Sequence, residues 1–190
     1  QAPPLEYYRR LRQFCDHHGA LLILDEIPSC LGRTGKMFAF EHYGIVPDMV
    51  VIGKGLGGGV FPMAAVIVRE GLNVAADRAL GHYTHEKSSL GCAAALATLD
   101  VIESEGLLAR TTELGTYALR RMRTMQSRCP AIVDVRNVGL FLAIELDRAP
   151  MAEDVMYRCL SRGLSFKVGQ GTVLVLAPPL IIDRADLDRA

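Results

Sequence analysis

Two uninterrupted apolar runs limit how this chain can fold. ALLIL at residues 20–24 and MVVIG at 49–53 hold no polar side chain. A strand with one wet face alternates polar and apolar residues. A continuous run reads instead as a strand covered on both faces, as in a parallel sheet between helices. Each run breaks off at charge: Asp25 and Glu26 after the first, Lys54 after the second. In an open parallel sheet, ligands bind beyond the carboxyl ends of the strands. An aspartate and a lysine are therefore delivered to the edge where chemistry is expected. The ordinary fate of such a pair is a surface salt bridge of little consequence. The glycines at 53, 55, 57, 58 and 59 around the lysine favour a more specific use.

The rest of the chain supports a layered α/β arrangement. Leu5, Tyr8, Leu11 and Phe14/Cys15 recur at helical spacing before Gly19, and AAVIV at 64–68 reads as a third strand of the same sheet. An Ala-rich helix over 90–106 is followed by a second helical stretch to about residue 128. From Pro130 the texture changes. AIVDVRNVG and LFLAIEL alternate like paired strands, 149–163 is an amphipathic helix, and LSFKVG and TVLVLAPPLII are further strands. The expected domains are residues 1–127, part of a large, mostly parallel-sheet domain with its linking helix, and 128–190, a smaller α+β domain. The chain starts without Met in the approach to one helix and stops in DRADLDRA, which reads as the start of another. It is expected to be part of a longer protein.

Composition removes several classes of function. Lys+Arg and Asp+Glu are both 21, aromatics are 6% and Trp is absent, so neither a phosphate-backbone footprint nor a base-stacking surface is expected. The longest apolar run, Val173–Ile182, is too short to span a bilayer and contains two prolines. Five cysteines without a CxxC pair fit reduced thiols in the cytoplasm. GKGLGG and GRTGK lack the lysine spacing of a phosphate-binding P-loop. HYTHE at 82–86 places no base between His82 and His85, so no metal is expected there. No G-x-S-x-G elbow is present.

A lysine that forms a Schiff base remains. Such a lysine must reach a carbonyl carbon, lose its proton and then move protons as a general base. Small neighbours would let a planar cofactor approach the backbone. If the cofactor is pyridoxal 5'-phosphate, a carboxylate must also hold the proton on its ring nitrogen. Asp25 is suited to that task.

These residues carry a resemblance. LLILDEIPSCLGRTGKMFAFEHYGIVPDMVVIGKGLGGG is similar to the class III (fold type I) pyridoxal-phosphate-dependent aminotransferases. There an Asp-Glu after a strand precedes a G-R-T-G segment, a P-D strand and the lysine of G-K-G. GHYTHEKSSLGCAAALATLDVIESEGLL, NVGLFLAIEL and LAPPLII resemble later parts of the same family, in order. The resemblance implies a fold type I transferase, with the second half of the large domain and most of the small one inside this chain. It implies that Lys54 holds pyridoxal 5'-phosphate as a Schiff base and that Asp25 pairs with the ring nitrogen. It implies that Thr84 binds the cofactor phosphate across the interface of a homodimer or a dimer of dimers. It also places the family's glycine-rich phosphate loop and ring-stacking aromatic upstream of Gln1. Arg33 is read as structural, in a loop or interface ion pair, and Glu26 as a loop anchor.

The departures bear on substrate. The usual V-Q-T-G-F after Asp-Glu is Ile27-Pro28-Ser29-Cys30-Leu31 here, so no glutamine stands where Pro28 is. Many members carry a carboxylate-binding arginine three residues before the P-P pair, and that position is Val175. His85, Glu86 and Lys87 replace part of an F-G-G-N-P stretch. The expected activity is amino transfer between a small amine or amino acid and a keto or aldehyde acceptor. The alternative is a racemase or ammonia-lyase acting on an amino acid, lactam or aminophosphonate.

Overall fold

The computed structural model describes residues 3–190 except 76, 79–82, 85 and 87. The chain resolves into two compact units, Gln1–Leu31 with Lys36–Glu105, and Gly32–Gly35 with Gly106–Ala190.

In the first unit, helix α1 (Leu5–His18) leads to strand β1 (Ile23–Asp25), followed by β2 (Met49–Ile52), β3 (Ala65–Val68) and helix α2 (Ser89–Ser104). The sheet order is β1-β2-β3. Strands β1 and β2 are parallel, with Ile23 opposite Met49 and Asp25 opposite Val51. The third run departs from expectation, because β3 pairs antiparallel with β2 through Val50 and Ile67. A parallel return requires a long crossover, usually a helix. Residues 53–64 contain only one 3-10 turn, Lys54–Gly57, so the chain can only fold back. Cover on both faces is not met either. Leu22, Val50 and Ile52 are buried, while Leu21, Ile23 and Val66 to Val68 are exposed. Among the described residues, this chain covers only one face of the sheet.

Strand β1 starts three residues into its apolar run for a local reason. The Leu22 N–H donates to the Asp48 carboxylate at 2.8 Å instead of joining the ladder. Asp48 is buried and also accepts from Arg12 of α1 at 2.7 Å and Arg69 after β3 at 2.6 Å. One carboxylate thus ties α1, the foot of β1 and the end of β3 to the start of β2. The Leu22 N–H and then the Arg12 guanidinium hold its pKa below the usual carboxylate range. Its protons bind more tightly in the unfolded chain. Its contribution is therefore complete above the ordinary carboxylate pKa and is lost as pH falls through the lower folded value. Asp48→Ala removes one of the two carboxylates that the part-buried Arg12 holds at 2.7 Å, Asp16 being the other, and leaves the Leu22 N–H without its acceptor. In urea titrations at neutral pH it is expected to cost about 3–5 kcal/mol. That deficit should shrink in acid, and a pH-independent deficit would contradict the ion-pair account.

In the second unit, helix α3 (Leu107–Gln126) precedes β4 (Ile132–Val138), β5 (Phe141–Leu146), α4 (Ala149–Leu160), β6 (Lys167–Gly169), β7 (Val173–Leu176) and α5 (Arg184–Arg189). The sheet order is β4-β5-β7-β6 and every pairing is antiparallel. Ala118, Met122, Val135, Leu142, Ile144, Ala152 and Leu174 form its core. The sequence places a domain boundary at 127/128. By compactness the division falls at Glu105/Gly106, so α3 groups with the sheet it covers.

The G-R-T-G segment is built into this second unit. Arg33 donates from Nη1 to the carbonyls of Leu140 (3.2 Å) and Pro178 (2.6 Å), and the Leu140 N–H donates to the Arg33 carbonyl at 3.1 Å. Backbone oxygens thus take the place of the expected ion pair, and burial pulls the Arg33 pKa down. Glycines allow this close approach. A Cβ on Gly115 of α3 would stand 2.3 Å from the Gly139 carbonyl oxygen. A Cβ on Gly139, at φ +58, would stand 2.6 Å from the Thr34 carbonyl carbon.

Candidate active site

The parallel pairing of β1 and β2 brings the two charged strand ends together. Asp25 is the last residue of β1 and lies level with Val51, and the next N–H, that of Glu26, donates to the Val51 carbonyl at 2.9 Å. Lys54 follows β2 by two residues. Both side chains are exposed. Asp25 Oδ1 accepts the Ile27 N–H at 3.0 Å, which turns the chain away from the sheet. A carboxylate and an ammonium are thus presented at one edge of neighbouring strands, the edge where parallel sheets place ligands.

Lys54 sits in a turn that its neighbours brace. Its φ is +48, in the left-handed region that non-glycine residues avoid, and such conformations persist only where surroundings enforce them. The Leu56 N–H donates to Gly53 O at 3.2 Å, and Gly58 N–H to Gly55 O at 2.9 Å. Leu56 is buried, and α2 lies against the turn. Phe61 meets the position of a Cβ on Gly91 of α2 at 2.9 Å, and Thr98 Oγ1 meets that of Gly58 at 2.9 Å. The Ala-rich helix anticipated from sequence therefore backs the lysine turn.

On their Cβ side, the glycines beside Lys54 face the chain's own side chains. The position of a Cβ on Gly53 lies 3.4 Å from Ala64 Cβ and 3.6 Å from Ile27. That on Gly55 lies 3.8 Å from Leu31 Cδ1. The small residues admit the chain's own side chains. Sequence reasoning missed Ile27 and Leu31 for that reason, since apolar residues in a loop carry no mark of what they will touch.

Glu26 behaves as a loop anchor. It is buried and accepts the N–H groups of Ala39 (2.6 Å) and Phe40 (2.7 Å). Burial pushes its carboxyl pKa up, and those two donors partly oppose the shift. Thr84 lies in an exposed turn ahead of α2 and is not among the residues that β1 and β2 carry to the shared edge. His82, His85 and Lys87 fall outside the described residues. Among the described residues, no group of three or more His, Cys, Asp or Glu could hold a metal, and no helix is long and apolar enough to cross a membrane.

Comparison with known proteins adds a family. The model of the class-III aminotransferases matches residues 1–190. The (R)-1-hydroxy-2-aminoethylphosphonate ammonia-lyase of Vibrio splendidus is 46% identical, over 100% of this chain and 41% of its own length. Ornithine aminotransferase 1 of Staphylococcus saprophyticus is 38% identical, over 98% of this chain and 46% of its own. The crystal structure of a transaminase from the marine bacterium Virgibacillus superposes with a TM-score of 0.93 at 28% identity, covering 98% of this chain and 46% of that one. The chain thus spans about half the length of the curated relatives it matches.

Proposed function

Since the chain belongs to the class-III aminotransferase family, we propose that it carries the reacting half of a pyridoxal-phosphate-dependent aminotransferase, with Lys54 as the reacting amine. The observation that supports this most directly is the delivery of Asp25 and Lys54 to one edge by a parallel strand pair.

The residues present fit the cofactor's chemistry. An aldehyde calls for an amine, and Lys54 is exposed on a braced turn. A ring nitrogen that must stay protonated calls for a carboxylate, and the only donor that Asp25 accepts from among the described residues is the Ile27 N–H. A phosphate calls for hydroxyl donors, and the Thr84 hydroxyl is exposed. Bound there, pyridoxal phosphate supplies an aldehyde for amine exchange and a ring that withdraws electrons from the adjacent carbon. Lys54 would hold the cofactor between turnovers, and its amine, once freed, would take the proton from the substrate carbon as general base and give it back as general acid. Asp25 keeps the proton on the ring nitrogen, and the Ile27 N–H fixes the direction of its carboxylate. Thr84 donates to the phosphate bound by a second copy of the chain, in a cytoplasmic homodimer or dimer of dimers. The free cysteines are consistent with that compartment.

The whole protein should therefore develop visible absorbance with pyridoxal phosphate, and borohydride should fix the cofactor to Lys54, as located by peptide mass mapping. A colourless preparation, or labelling spread over surface lysines, would refute the proposal. Asp25→Asn keeps size and loses charge. It is expected to lower kcat by about 10²-fold with little change in melting temperature, as measured by steady-state kinetics and calorimetry.

A second reading has its own support. The aminophosphonate ammonia-lyase matches more of its residues to this chain than the ornithine aminotransferase does, 46% against 38%. Val175 also leaves no arginine for a substrate carboxylate at that position. Under this reading the protein releases ammonia from a small aminophosphonate. Ammonia formed without a keto acceptor supports elimination, and acceptor-dependent product supports amino transfer.

A further inference from the structure

Two non-glycine residues of the first unit hold left-handed backbone close to the strand-end edge: Lys54 at φ +48 and Leu31 at φ +56. For a branched, buried side chain such as Leu31, that conformation is a true outlier, and it needs a reason. Leu31 is 6% exposed, and its N–H donates to the Met37 carbonyl at 2.7 Å. Its Cδ1 lies 3.8 Å from where a Cβ of Gly55 would stand, which places it beside the residue after the lysine. Ile27, from the same loop, packs on Gly53, the residue before it. Between them, the Cys30 N–H donates to Glu26 O at 2.9 Å. The loop's base is fixed by the buried Glu26 carboxylate through Ala39 and Phe40.

Taken together, the 27–31 loop grips the lysine turn on both sides. Ile27 lies at ordinary contact distance from the Cβ position of Gly53, and Leu31 from that of Gly55. The loop begins at Asp25, so the same short segment that orients the carboxylate also constrains the lysine. A left-handed lysine between two glycines has several cheap alternatives. It stays in one only if its flanks are held.

We propose that Leu31 is a positioning residue for Lys54, its strained backbone directing a side chain onto Gly55 that fixes the lysine turn in its left-handed form. The proposal rests on Lys54 being the reacting amine. Leu31→Gly relieves the backbone and removes the contact, whereas Leu31→Met keeps an apolar side chain of similar reach. In the whole protein, Leu31→Gly is expected to lower kcat by about 10- to 10²-fold with KM little changed, and Leu31→Met to recover most of that loss. In the cofactor-free protein, competitive acetylation with acetic anhydride, read by mass spectrometry, should show the reactivity of Lys54 changed several-fold relative to Lys36 and Lys167. A changed melting temperature with unchanged kcat and unchanged relative acetylation would make Leu31 a packing residue and overturn the proposal. If acetylation shifts but borohydride never fixes pyridoxal phosphate to Lys54 in the parent protein, the positioning stands and the assigned chemistry falls.

Discussion

Lys54→Ala is expected to lower turnover by at least about 10³-fold while leaving the fold intact. Its side chain is exposed and takes no part in the core, so stability should change little. Alanine at φ +48 keeps the same backbone cost, so the turn gains nothing from losing the amine. Steady-state kinetics with calorimetry on the same preparation test this. A variant that keeps more than a tenth of parental turnover would show that another lysine or a water does the proton transfer. Addition of a small exogenous amine should restore part of the lost rate, because a free base can enter the space that the side chain leaves.

The largest loss of stability is expected far from that lysine, at Gly139. A methyl group there would press on the backbone of Thr34, Arg33 and Gly35 at 2.6–2.9 Å, and backbone cannot rotate away as a side-chain tip can. The left-handed φ of +58 adds about 1–2 kcal/mol for any residue with a Cβ, and overpacking typically adds about 1–3 kcal/mol. Gly139→Ala should therefore cost roughly 2–5 kcal/mol in a urea titration. Gly163→Ala is the control. Its φ is +88 but nothing lies within 4 Å of the added Cβ, so it should show the backbone part alone. Equal losses at the two sites would mean that the G-R-T-G segment yields to the intrusion, and that its clamp between α3 and the β4–β5 turn is loose.

Much of the site was legible in the sequence because its parts are tied to strand ends. Two apolar runs ending in charge were enough to expect Asp25 and Lys54 at one edge, and the parallel register of β1 and β2 supplies the reason. Glu26 is read as a loop anchor alongside the family resemblance, and its buried carboxylate accepts the N–H groups of Ala39 and Phe40. The direction of β3 was not legible. AAVIV and MVVIG look alike as apolar runs, and only the short return through residues 53–64 makes the third strand antiparallel. Asp48 was also missed, since an aspartate after proline looks like any turn residue until Arg12, Arg69 and Leu22 converge on it.

The sequence by itself determined which residues bear charge at the strand ends, which segments are helices, and which family pattern they follow. These are local properties, set by periodicity and by residue type at a strand terminus. The tertiary structure alone decided what surrounds the lysine. Ile27 and Leu31 fill the space beside Gly53 and Gly55, and the left-handed backbone of Lys54 and Leu31 is held by contacts between separate segments. Propensity disfavours both conformations, so nothing in the linear order could have announced them. They exist because packing and hydrogen bonds brought in from elsewhere in the chain outweigh the local cost.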